Sequence, residues 1–175
     1  MEARVLRARG RPADALAAAE RGLELNSELS FMSTPMKASF VEALEAALAL
    51  GDLGKADELL ASVESLQPGA LTPSLRAHRA RFRARLDATL GREDGVDGNF
   101  RSAAAIFREF SFAFYLAVTQ LEHAEWLAGM GRHSEAEPLL AEARETFELL
   151  GARPWLERAA LVAPGPAAEA LTEAS

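Results

Sequence analysis

The residues best able to do chemistry fall into four groups. Arg76, Arg79, Arg81, Arg83 and Arg85 run with His78 through a stretch, 76–85, that holds no acidic residue. On a helix Arg76, Arg79 and Arg83 share one face, which would make a local anion site for phosphate, an acidic peptide or nucleic acid. The competing reading is a solvated basic face matched by neighbouring helices, because residues 37–71 carry 2 basic and 6 acidic side chains and 122–175 carry 4 basic and 10 acidic. Glu122, His123 and Glu125 suggest a metal or an acid/base pair. Glu122 and Glu125 are three apart and can lie on one helix face, but His123 points about 100° away from Glu122, and a firm site would need further ligands. They read instead as an exposed glutamate pair with a histidine at a helix–helix contact. The run from Gly91 to Asn99 ends in Gly98-Asn99-Phe100 where a phosphate loop requires Gly-Lys-Ser/Thr, and Gly95 stands where a calcium loop requires an acid. It reads as a turn with helix caps, the loosest of the chain. The last group is aromatic: Phe110, Phe112, Phe114, Tyr115, Trp126 and Trp155. Phe114, Val118 and Leu121 form a core stripe at helical spacing, and Tyr115, Thr119, Glu122 and Trp126 form a mixed stripe beside it. That mixed stripe either faces a partner, where Trp and Tyr contribute heavily, or packs on the preceding helices.

No catalytic arrangement emerges. The only histidines are His78, His123 and His133, and no Gly-x-Ser-x-Gly elbow occurs. The absence of cysteine excludes a disulfide framework, a thiolate zinc site and a cysteine nucleophile. We therefore expect a non-enzyme with no metal and no cofactor. The lack of cysteine fits a reducing compartment, no apolar run approaches the ~20 residues of a membrane span, and the N-terminus has no signal-peptide pattern, so the expected location is cytoplasmic. A formal net charge of -7 argues against gross attraction to nucleic acid or anionic lipid.

The elements that must position these groups are helices. Among 175 residues 37 are Ala and one is Tyr, a composition that disfavours a sheet. Four glycines, Gly10, Gly51, Gly91 and Gly131, are spaced 41, 40 and 40 residues apart, each ending one helical pattern just before another. The fifth residue after each is Ala15, Ala56, Val96 or Ala136, small enough for two helix backbones to approach closely past a tight turn. Helical stripes recur between the turns: Phe40, Leu44, Ala47 and Leu48; Leu75, Phe82 and Leu86; Phe100, Ala104 and Phe107; Leu140, Ala143, Phe147 and Leu150. Start signals agree, with Thr34-Pro35 and Thr72-Pro73 placing a hydroxyl before a proline and Ser134 with Glu137 forming a capping box. Pro138 is expected within the first turn. The spacing predicts helix pairs at 2–9 with 12–26, 35–50 with 54–67, 73–90 with 96–110 and 113–130 with 135–150, a closing helix at 154–162, and a flexible tail at 164–175. The fold class is all-α, an α-solenoid of about four antiparallel helix pairs in units 1–30, 31–71, 72–111 and 112–151. The first helix is short, as if the chain began within a repeat.

The stretches Gly51-Asp52-Leu53-Gly54-Lys55-Ala56-Asp57-Glu58-Leu59-Leu60 and Gly131-Arg132-His133-Ser134-Glu135-Ala136-Glu137-Pro138-Leu139-Leu140 resemble tetratricopeptide (TPR-like) repeats, at a period near 40 residues. The segments Phe112–Leu127 and Phe147–Trp155 are similar to the C-terminal helical regions of large bacterial signalling proteins that join a nucleotide cyclase or LuxR-type DNA-binding domain to an AAA/STAND ATPase. None of the catalytic motifs of those upstream domains is present. The resemblance implies a protein–protein interaction scaffold, a regulatory or sensor segment that engages a protein or peptide, or upstream domains of the same polypeptide. A homodimer through exposed end helices is a further expectation. The candidate partner-binding residues are Arg76, Arg79 and Arg83 with Tyr115, Thr119, Glu122 and Trp126. The alternative is an anionic-ligand or nucleic-acid binder that uses Arg76 to Arg85.

Overall fold

The computed structural model describes residues 2–25, 33–66, 69 and 71–162. The tail at 164–175 and the predicted helix ends at 26 and 67 lie outside them. Among the described residues there are nine α-helices and no strand. The chain divides into two compact units, Met1–Arg92 and Glu93–Ser175, and the division falls in the turn after Gly91, inside the third predicted pair.

The first unit holds α1 (Glu2–Ala8), α2 (Pro12–Leu25), α3 (Thr34–Leu50), α4 (Leu53–Glu64) and α5 (Pro73–Thr89). Helix α3 is its hub, packed against the other four. Its Phe40, Leu44 and Ala47 are fully buried with Leu60, Leu75, Phe82 and Leu86. Leu48, predicted on the same stripe, is only partly buried. The glycine at 22 lets α2 approach α3, since a Cβ there would lie 2.4 Å from Ser39 Oγ.

The second unit holds α6 (Val96–Glu109), α7 (Ala113–Gly129), α8 (His133–Leu149) and α9 (Arg153–Ala160), each packed against the next. Val118, Leu121, Leu127, Leu140 and Phe147 close its core around α7 and α8.

Helix ends follow one device. At Gly10, Gly51, Gly91, Gly131 and Gly151 the backbone is left-handed. The residue after each donates its N–H five residues back, as in Gly131's turn where Arg132 N reaches Leu127 O at 2.8 Å. This is the Schellman cap. Ser111, with φ 58°, does the same without glycine: its N–H reaches Arg108 O at 3.2 Å, and Phe112 N reaches Phe107 O at 2.8 Å. The Phe107 and Phe112 rings then meet edge-on at 6.2 Å, the apolar contact such a cap favours. In the second half, turns therefore recur every twenty residues, at 91, 111, 131 and 151. The four predicted small residues past the turns are buried: Ala15, Ala56 and Val96 fully, and Ala136 at 4% exposure.

Several local expectations are corrected. Helix α3 begins at Thr34 with Ser33 as N-cap and no side-chain cap bond, so Thr34 is not the cap. Thr72 does cap α5, accepting from Leu75 N at 3.3 Å. The Ser134/Glu137 capping box does not form, because α8 starts earlier, at His133. Pro138 is consequently the sixth helical residue rather than part of the first turn, and without an N–H it gives the Ser134 carbonyl no i→i−4 donor. Leu150 is the C-cap of α8 and 54% exposed, outside the core stripe. Phe114 is also not a core residue: at 36% exposure its ring lies at the edge, against Tyr115, Phe147 and Trp155.

Candidate functional site

The predicted binding residues separate into two places, Arg76, Arg79 and Arg83 on α5 of the first unit and Tyr115, Thr119, Glu122 and Trp126 on α7 of the second. Each place is considered by itself.

On α5, most of the basic charge is matched within the unit. Arg83 donates to Asp57 at 2.8 Å and to both oxygens of Glu64 at 3.1 and 2.9 Å. Arg81, 1% exposed, donates to Glu45 at 2.7 Å and lies 4.7 Å over the Phe82 ring. Arg85 donates to the other Glu45 oxygen at 2.8 Å. Burial alone would raise the Glu45 pKa, but the Arg81 and Arg85 guanidiniums outweigh it and hold the carboxyl well below the usual carboxylate range. His78, stacked on Phe82, is pushed down to about 3, first by burial and then by Arg81. Arg76 is exposed and Arg79 half-buried. Of the three residues of the predicted face, Arg83 is matched by α4, while Glu45 of α3 serves Arg81 and Arg85. A buried Arg81–Glu45–Arg85 cluster was not foreseen, because nothing in a basic run marks which arginine turns inward.

On α7, the predicted mixed stripe is largely buried. Thr119 is 0% and Glu122 4% exposed, and Tyr115 and Trp126 are half-buried. Tyr115 stacks on Phe107 of α6 at 5.7 Å, and Trp126 lies on His123 at 6.1 Å with the Arg132 guanidinium 5.5 Å over its ring. Within the stripe Tyr115 thus packs on α6, while Trp126 lies along α7 beneath Arg132 of the turn that follows. The glutamate pair is not exposed: Glu122 is buried, and Glu125 binds Arg158 of α9, with Nε at 2.7 Å. His123 does sit at a helix–helix contact, stacked on Phe100 of α6 at 5.1 Å.

The second unit also contains a cavity of about 370 Å³ that the sequence did not disclose. Helix α7 supplies its floor through Thr119, Gln120, His123 and Leu127, all at most 4% exposed. One wall is α6, with Arg101, Ala104, Ala105 and Arg108; the other is α8, with Glu135, Pro138 and Leu139. Two ion pairs span the walls: Arg101 reaches Glu135 at 3.8 Å and Arg108 reaches Glu142 at 2.7 Å. Of the predicted residues, Thr119 alone lines this cavity.

Each polar floor residue turns its donor into the protein. The Thr119 hydroxyl donates to Tyr115 O at 2.7 Å. The Gln120 amide nitrogen donates to Glu142, which fixes the amide orientation because a carboxylate only accepts. Its Oε1 is buried and has no hydrogen-bond partner. His123 Nε2 meets Asp97 Oδ1 at 2.7 Å. The Asp97 pKa is raised by burial but lowered more by the His123 and Arg101 hydrogen bonds, a net lowering. His123 is also lowered, burial outweighing the Asp97 bond. At neutral pH an ionised Asp97 thus accepts from a neutral imidazole's Nε2–H, and Nδ1 keeps its lone pair. No group of three or more His, Cys, Asp or Glu residues positioned for a metal occurs among the described residues.

Two solved structures match this fold. Both are crystal structures of a kinesin light chain-like protein of Podosopora anserina with nearly identical TPR-like repeats, one of them carrying a single substitution. The substituted form is 20% identical, with 90% of this chain and 87% of that one covered, at a TM-score of 0.59. The other is also 20% identical, covering 91% and 90%, at a TM-score of 0.59. No family model and no curated protein matches the chain. The class of protein so defined is an all-α, TPR-like helical repeat of the α-solenoid type. The resemblance first carried by the Gly51 and Gly131 segments is met at the level of fold.

Proposed function

We propose that this chain is a non-catalytic protein–protein interaction scaffold, serving as a regulatory or sensor segment of a larger bacterial signalling protein and working in the cytoplasm. The observation that carries this reading is the repeat architecture: the TPR-like likeness extends over nine-tenths of the chain, and arrays of this kind present series of helix faces to a partner. The groups with the chemistry for catalysis point the same way, since His78 is held neutral inside the first core and His123 is tied to Asp97. The partner is a protein, a peptide or another domain of the same polypeptide, and end helices offer a route to a homodimer. The basic-helix alternative is not favoured, because Arg81, Arg83 and Arg85 have their charges matched by Glu45, Asp57 and Glu64. Among the described residues no helix is long and apolar enough to cross a membrane.

Quantitative co-purification from the native cell tests the reading. A wild-type bait should retain a stoichiometric protein that a core-disrupted Leu121→Asp bait loses. Failure of the folded bait to retain any protein above the level of the disrupted one would overturn it.

A further inference from the structure

We infer that Asp94 is a site of spontaneous modification: its side chain closes onto the Gly95 amide nitrogen and isomerises to isoaspartate, whereas Asp97, which also precedes a glycine, is protected by the fold.

The chain has two Asp-Gly pairs, Asp94-Gly95 and Asp97-Gly98, both in the Gly91–Asn99 run that makes neither a phosphate loop nor a calcium loop. The reaction needs water alone. The Gly95 nitrogen attacks Asp94 Cγ, the N–Cγ bond forms, and the hydroxyl of the protonated carboxyl leaves as water with the amide proton. The product is a cyclic imide, which a water molecule then opens. Attack at Cγ restores aspartate. Attack at the main-chain carbonyl leaves the chain running through Cβ and Cγ, with the former main-chain carbonyl now a free carboxylate.

The structure separates the two pairs. Glu93, Asp94 and Gly95 are all exposed, ahead of the first residue of α6. Gly95, at φ 84° and ψ -9°, has the conformation of the third residue of a type II turn, closed by a single bond from Val96 N to Glu93 O at 3.3 Å. Among the described residues no hydrogen bond or ion pair holds the Asp94 carboxylate, and the Gly95 N–H has no acceptor. Ring closure asks the Asp94–Gly95 peptide to rotate about the Asp94 Cα–C bond. Glycine takes either sign of φ that the rotation produces, and it puts no Cβ beside the attacking nitrogen.

Asp97 is placed differently. Its peptide with Gly98 lies inside α6, and both its carboxylate oxygens are engaged, Oδ1 by His123 at 2.7 Å and Oδ2 by Arg101 at 3.1 Å. Burial raises the Asp97 pKa but those two bonds lower it more, which depletes the acid form that closes the ring. The exposed turn lies where the units Met1–Arg92 and Glu93–Ser175 divide. Isoaspartate would add a main-chain carbon there, and the modification would accumulate with the age of the chain.

The test incubates the intact chain at neutral pH beside the free peptide 93–101, which carries both pairs. Samples of the chain are digested with trypsin over time. Electron-transfer fragmentation, which breaks the additional Cα–Cβ main-chain bond of isoaspartate, then assigns the product to position 94 or 97. In the free peptide both positions should convert at similar rates. In the intact chain Asp94 should keep that rate while Asp97 falls behind by about tenfold or more, the cost of breaking one charged hydrogen bond before reaction. The inference is overturned if Asp97 of the intact chain stays within that factor of Asp94, or if Asp94 is itself slower than in the peptide by that factor.

Discussion

At the scale of single residues, the Arg81–Glu45–Arg85 cluster has the largest stake in stability. Removing one partner of a buried ion pair leaves an uncompensated charge, so Glu45→Gln should cost the first unit about 3 kcal/mol in urea denaturation. His78 makes the same region acid-sensitive. Its folded pKa, about 3, lies below the ordinary histidine value of 6.5. Below pH ~6.5 the unfolded chain therefore binds a proton that the folded chain refuses, and stability falls as pH falls. Glu45, depressed as well, adds to the loss below the usual carboxylate range. We expect His78→Phe to flatten the decline in stability between pH 6.5 and 4.5; an unchanged slope would contradict the assignment. Ser111 is the remaining case. It occupies a left-handed cap that its counterparts fill with glycine, so Ser111→Gly should stabilise the chain by about 0.5–1 kcal/mol, read as a rise in melting temperature.

At the scale of elements, α8 contains an avoidable defect. Pro138→Ala restores the bond to Ser134 O, so helix α8 should gain about 1–3 kcal/mol by denaturation. Most helix bounds were legible because Gly10, Gly51, Gly91 and Gly131 and the Thr72-Pro73 start write them directly into the sequence. The turn at Ser111 was hidden because it uses no glycine, and with it the twenty-residue spacing of the second half. Leu150 and Phe114 were misplaced for a related reason: periodicity gives the angle of a residue around a helix but not whether the next helix extends far enough to cover it. Burial of Arg81, His78 and Glu122 was illegible because charged types at interior angles look like surface until their partners, such as Glu45, are placed. The cavity was beyond reach, since it is a gap between α6 and α8 whose only foreseen liner was Thr119.

At the scale of the molecule, each of the two units carries its own core cluster, one from Ala3 to Leu86 and one from Ala117 to Ala159. Both tryptophans, Trp126 and Trp155, belong to the second unit, so tryptophan fluorescence reports that unit while far-ultraviolet circular dichroism reports helices of both. Phe147→Ala should destabilise by about 3–5 kcal/mol in the fluorescence transition. Glu45→Gln should move the circular dichroism transition and leave the fluorescence midpoint in place; equal shifts in both would show that the units unfold as one. The central claim, that the folded array acts by holding a partner, is tested most directly by photo-crosslinking in living cells from a benzoylphenylalanine placed in turn at exposed positions of each unit, Arg76 and Ala105 among them. The account predicts an adduct of discrete added mass from at least one of these positions, lost when the core of the same unit is disrupted, by Leu121→Asp for the second unit; the absence of any protein adduct from every position on both units would contradict it.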